Sequence, residues 1–130
     1  MNNASEKFNT LCFVLGRALL GTYFLLPGIM KVAQYDGTLS LMQLKDVPLA
    51  DVLLPITIVF QITLGLLLII GKMVRVSALL LFTMTLAINV YIHNFWALGD
   101  DPNYAHELQN FVKNLGIAAG LLVLAGRGGD

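Results

Sequence analysis

The sequence predicts an all-α integral membrane protein, a single domain of four spanning helices in an antiparallel, up-and-down bundle with both termini in the cytoplasm. Three observations carry this expectation. Of 130 residues, 57% are hydrophobic and 12% charged, about half the charged share of an ordinary globular domain and too little to cover a water-facing surface. The apolar residues gather in four runs, 11–32, 52–70, 76–96 and 111–125. At about 1.5 Å per residue the third reaches about 31 Å, matching a hydrocarbon core of ~30 Å. Charge is unevenly placed. Lys7, Lys72, Arg75 and Arg127 lie at the two termini and the turn after the second run, against Glu6 and Asp130. The other two loops hold Asp36, Asp46, Asp51, Asp100, Asp101 and Glu107 with Lys31, Lys45 and Lys113. Cytoplasmic segments favour Lys and Arg, which puts both ends of the chain inside.

The first run follows Lys7 but is too long for a secretory signal and has no small-x-small cleavage site after it, so it should stay as an anchor. Within it Arg17, Gly21, Phe24, Gly28 and Lys31 recur at helical spacing and share one stripe. Its two glycines let another helix approach. Arg17 lies ~9 Å inside the inner end, where it must either snorkel to headgroups or anchor a carboxylate, a carbonyl or a polar ligand. Pro27-Gly28 loosens the outer end of the helix, and Lys31 marks its boundary.

Residues 33–51 read as an outer loop whose apolar piece, 39–44, lies on the membrane or caps the bundle. Asp51 is the expected N-cap of helix two, with Pro55 in its first turn. Gln61, in the middle of that helix, serves either as helix-to-helix glue or as a ligand contact, and Gly65 follows four residues on. The tight turn 71–75 makes helices two and three antiparallel neighbours. Asn89, His93 and Trp96 lie along one side of helix three, a side too polar for lipid that should face other helices or a wet cavity. In the loop 97–110, Asp100 and Asp101 read as a solvated turn, with cation binding a weaker alternative. Helix four opens at Asn110. Lys113 then sits unfavourably near a helix amino terminus and calls for Glu107 or Asp101 as compensation. Gly116 and Gly120 form a small-residue packing face.

Helices one and three run outward and two and four inward, so Lys31, Asn89, His93, Trp96, Lys113 and Asn114 share the outer half. If their faces converge they make a polar pocket roofed by the loop 97–110. The competing readings are structural: His93 as a packing histidine and Trp96 as part of an interfacial aromatic belt. Composition and motifs also exclude several classes. Cys12 is a lone thiol and cannot form an internal disulfide or a Cys-x-x-Cys pair. Haem held between helices wants paired histidines, whereas His106 lies in a polar loop. No basic patch suggests nucleic acid. No metal set, flavin motif or cluster-binding cysteines are expected.

The stretch from Leu15-Gly16-Arg17 through Gly21, Phe24 and Pro27-Gly28 to Lys31, then Gly65 to Gly71, His93-Asn94-Phe95-Trp96, and Asn110 through Lys113-Asn114 to Gly120, resembles the DoxX family over nearly the whole chain. The resemblance implies a multi-pass bundle of a bacterial-type inner membrane. It also implies a membrane subunit of thiosulfate:quinone oxidoreductase or of another redox-linked complex. By that resemblance Arg17, Lys31, His93, Trp96, Lys113 and Asn114 match family-typical positions. Gln61 stands where members often carry a glutamate, and an amide cannot exchange a proton as a carboxyl does.

The function then expected is a quinone-interacting membrane subunit. His93, Asn89 or Lys113 would hydrogen-bond quinone oxygens, and Trp96, Phe95 and Phe24 would supply ring contacts. Asn114, Arg17, Gln61 and Lys31 complete the candidate ligand-binding set. Electrons would come from a partner redox protein or a diffusing quinone. Two rivals remain. A non-catalytic scaffold would use the glycine faces and acidic loops. A small-solute carrier would place Arg17 and Gln61 on its path and would need a homo-oligomer.

Overall fold

The computed structural model describes residues 3–128, all of them in helices and their connections. Five α-helices follow in order: α1 (Asn3–Ala33), α2 (Tyr35–Leu44), α3 (Ala50–Ile70), α4 (Val74–Tyr91) and α5 (Tyr104–Gly128), with a 3₁₀ turn at Phe95–Ala97. Asn3–Ala33, Ala50–Ile70, Val74–Ala97 and Tyr104–Arg127 are long and apolar enough to cross a membrane. α1 packs against α3 and α4 against α5, with α3 and α4 joining the two pairs. Side chains such as Leu19, Val59 and Val123 stay exposed on the outer faces, where the surrounding solvent is lipid rather than water.

Glycine determines the tightest contact. A Cβ built on Gly21 would lie 2.5 Å from the Gly65 carbonyl oxygen, and one on Gly65 would lie 2.8 Å from that of Gly21. The two backbones therefore touch. Lipid tails are as apolar as Leu, so helices in a membrane associate through this kind of close packing rather than through hydrophobic burial. Gly28 continues the contact one step outward, its would-be Cβ 3.0 Å from that of Gln61. The expected packing face at Gly116 and Gly120 does not form. Gly116 has open space around it, and Gly120 approaches only Leu20, at 3.8 Å. α5 instead turns Asn114, Ala118, Leu121 and Ala125 inward.

The apolar core lies in the half of the bundle that holds the chain termini. It is built from Phe24, Leu64, Leu68, Val74, Ala78, Leu81, Leu121, Leu124 and Ala125. Two arginines close that end. Arg17 Nε donates to the Leu68 carbonyl at 2.8 Å, and Arg75 Nε to the Ala125 carbonyl at 3.1 Å. Each satisfies a late carbonyl of a neighbouring helix, in the last turn where helices leave acceptors unpaired. Of the two readings open for Arg17, the structure shows the anchor, and its target is a backbone carbonyl.

The opposite, distal end departs from expectation in three ways. The apolar run predicts that helix three continues to residue 96, but α4 ends at Tyr91. Asn94 breaks the helix at φ −84°, ψ 67°, and Phe95 swings into a ring cluster with Trp96, Tyr104 and Phe111 at centroid separations of 5.3–5.6 Å. Helix four starts at Tyr104 rather than about 111, because Asp101 turns the chain: its carboxylate accepts the Asn103 N–H at 2.8 Å and its carbonyl the Tyr104 N–H at 3.0 Å. Asp51 is not the N-cap of α3. That position belongs to Leu49, left-handed at φ 53°, and Asp51 falls in the first turn, where its charge still complements the helix dipole.

Candidate functional site

The distal half holds a cavity of about 670 Å³ between α1, α2, α3 and α4, within the ~300–1,000 Å³ that small-molecule sites occupy. Its walls are mainly apolar: Leu53, Leu54 and Phe60 from α3 and Leu80, Met84 and Ile88 from α4. Polar groups also line it: Lys31 from α1, Gln34 and Thr38 from the start of α2, Thr57 from α3, and Thr83, Tyr91 and His93 from α4 and the residues just after it. Pro27 enters the wall from α1, and α2, which packs on α1 and α3, adds Thr38, Leu41 and Met42 without burying any residue of its own.

His93 belongs to a polar cluster beside the cavity. Its Nδ1 lies 3.4 Å from Glu107 Oε1. An ionised carboxylate only accepts, so the ring donates through Nδ1 and Nε2 is left as the second imidazole nitrogen. Asn110 Nδ2 donates to the same oxygen at 3.3 Å. Lys45 Nζ donates to Glu107 Oε2 at 3.5 Å and to Asn94 Oδ1 at 3.2 Å. The Lys45 and Glu107 side chains are only 18% and 14% exposed, so the pair is largely shielded from solvent. Among the described residues no three His, Cys, Asp or Glu side chains are grouped to hold a metal ion.

The structure divides the eight residues singled out from the sequence. Lys31 and His93 line the cavity. Asn89 is buried and spends its amide on the Phe111 carbonyl at 2.9 Å, while Asn89 Oδ1 and Gln61 Oε1 are buried acceptors without partners among the described residues. Asn114, also buried, accepts from the Tyr23 hydroxyl at 3.2 Å. Trp96 is half exposed and stacks edge-on against Phe95 and Phe111. Arg17 works at the far end. Lys113 is exposed and is not among the residues lining the cavity. The expected pocket of six converging residues is thus split, and its wall is α2 rather than the loop 97–110. Glu107 compensates Lys45, not Lys113. With α5 beginning at Tyr104, Lys113 lies in its third turn, so its expected conflict with the dipole does not arise.

Lys45 and the helix-capping role of Arg75 were missed from the sequence. One signal was available for Lys45. The distal segments hold six acids, and Lys45 is the cation nearest the middle of the first of them.

A small multi-pass membrane protein with a ligand-sized cavity in one half of its bundle is the class that this fold and site define. The chain belongs to the DoxX family, whose model matches residues 12–94. It is 29% identical over 112 residues to the inner membrane protein YphA of Escherichia coli (strain K12), covering 86% of this chain and 79% of that one. It is 30% identical over 120 residues to the inner membrane protein YqjF of the same organism, covering 92% and 86%. No solved structure matches the chain. With four spanning helices and inner membrane relatives, this is a multi-pass protein of the bacterial inner membrane.

Proposed function

We propose that the chain is the membrane subunit of a redox-linked complex and that its cavity holds a quinone or a molecule of similar build. The observation that carries this reading is the chemistry of the cavity wall. The walls built by α3 and α4 are mainly apolar, and two hydrogen-bonding cations or potential cations, Lys31 and His93, line the same cavity. A ring with an isoprenoid tail has that polarity: the tail lies among Leu54, Phe60 and Met84, and ring oxygens meet Lys31 Nζ and the imidazole. Glu107 fixes the imidazole through Nδ1, as a carboxylate orients a working histidine elsewhere. The distal end faces the periplasm and the termini the cytoplasm, following the lysine and arginine bias of the connections. With a single cysteine the chain has no internal dithiol relay, and electrons reach or leave the site through a partner protein or a diffusing quinone.

The test is purification from membranes followed by extraction and mass spectrometry of whatever small molecules accompany the protein. His93→Ala removes one ring-oxygen partner, a loss of about 1–3 kcal/mol for a buried polar contact, and is expected to retain at least about fivefold less quinone per protein than wild type. Leu79→Ala, on an exposed outer face, is expected to retain the wild-type amount. Equal retention in the two variants, or no quinone in the wild type, would count against the reading.

A further inference from the structure

α2 is the one described helix too short to span the bundle, and it buries none of its residues. Thr38, Leu41 and Met42 from it, and Val47 just after it, nevertheless form a wall of the cavity. Both of its ends are joints. Gln34 interrupts the path from α1 at φ −113°, ψ 37°. Asp46 and Leu49 are left-handed, at φ 58° and 53°, a conformation that aspartate tolerates and leucine adopts only under constraint.

Between the segment 34–49 and the α4–α5 half, Lys45 makes the polar ties found among the described residues, to Asn94 at 3.2 Å and to Glu107 at 3.5 Å. α2 itself packs on α1 and α3, not on α4 or α5. Lys45 therefore bridges from the α2 arm to the side of the bundle that carries His93. The carboxylate it holds is the one that orients His93.

We propose that α2 is a lid on the cavity, held shut by the Lys45–Glu107 pair and hinged at Gln34 and at the 46–49 turn, and that the occupant enters and leaves past it. This rests on the reading of the cavity as a ligand site, but the motion exists without the ligand and is measured without it. A single ion pair at 3.5 Å is a weak clasp, which suits a lid that must open spontaneously.

The experiment uses the full chain in lipid nanodiscs, with Cys12→Ala, and spin labels on Gly37→Cys and Val112→Cys. Gly37 has open space around it on α2 and Val112 is exposed on α5. Pulsed dipolar spectroscopy should show one dominant short separation in the otherwise wild-type protein. Lys45→Met and Glu107→Gln should each raise the share of longer separations by about fivefold, the weight of a single such pair. Lys45→Arg should restore the short one. Lys72→Met, at the opposite end, should change nothing. Coincident distributions for wild type and Lys45→Met would overturn the lid, and so would an equal shift in Lys72→Met, since that would mean general loosening. A lid that opens as expected in a protein retaining no quinone would overturn the ligand reading alone.

Discussion

Gly21→Leu is expected to prevent recovery of a folded bundle, and Gly21→Ala to lower its stability by about 1–3 kcal/mol, the usual cost of overfilling a close contact. The added Cβ would meet the Gly65 carbonyl oxygen at 2.5 Å and the Ile69 nitrogen at 3.1 Å. Both are backbone atoms and cannot rotate aside. α1 and α3 would have to part, and no hydrophobic gain from lipid would draw them together again. Gly65→Ala strikes the same contact from the other side, so the double variant should lose less than the sum of the two. Gly116→Ala is the control, because nothing lies near its would-be Cβ. It should be unchanged or slightly more stable, as alanine favours helix over glycine by up to about 1 kcal/mol. Unfolding by titrated denaturing detergent, followed by circular dichroism, measures all four. A Gly21→Ala protein as stable as Gly116→Ala would show that the two backbones do not touch. The site shares this dependence, since α1 carries Pro27, Met30 and Lys31 into the cavity wall.

That contact was half legible in the sequence. The spacing of Gly21 and Gly28 on one stripe announces a helix made to be approached, but periodicity identifies a face and not the partner it meets. Gly116 and Gly120 also share a helical stripe, yet Gly116 has open space around it and Gly120 reaches only Leu20, at 3.8 Å. The four spans were legible for a simpler reason, since composition alone decides which stretches can sit in hydrocarbon. The ends of helices near the cavity were not, because specific tertiary contacts set them. Asn94 leaves the helical path and accepts Lys45, and Phe95 turns into the ring cluster. Both partners are distant in sequence. His93 and Lys31 were found because an ionisable group inside an apolar run stands out wherever it points. Lys45 was passed over because it lies in a polar connection, where a lysine needs no explanation.

Arg17→Leu is expected to lower stability by about 1–3 kcal/mol, the cost of leaving a shielded acceptor unpaired. The guanidinium donates to the Leu68 carbonyl at 2.8 Å, and it lies so close over Gly71 that a Cβ there would come within 2.8 Å of Arg17 Cζ. A cation at this place also faces the negative end of the α3 dipole. Arg17→Lys should recover part of the loss, since an ammonium keeps the charge but cannot reproduce the planar fork. Gly71→Ala should weaken the same cap by two routes. It displaces the guanidinium, and it puts a Cβ on a residue held at φ 81°, a left-handed conformation that glycine alone adopts freely. Combined with Arg17→Leu its effect should shrink to the backbone part, because the displaced group is already gone. Arg75→Leu removes the corresponding bond to Ala125 at the end of α5, but Arg75 is exposed, so its loss should be the smaller of the two. Since α1 caps α3 and α4 caps α5, the two arginine variants act on different helix pairs and should add. If Arg17→Leu instead unfolds at the wild-type detergent concentration, the guanidinium is a surface group drawn to headgroups, and the end of α3 is satisfied by water.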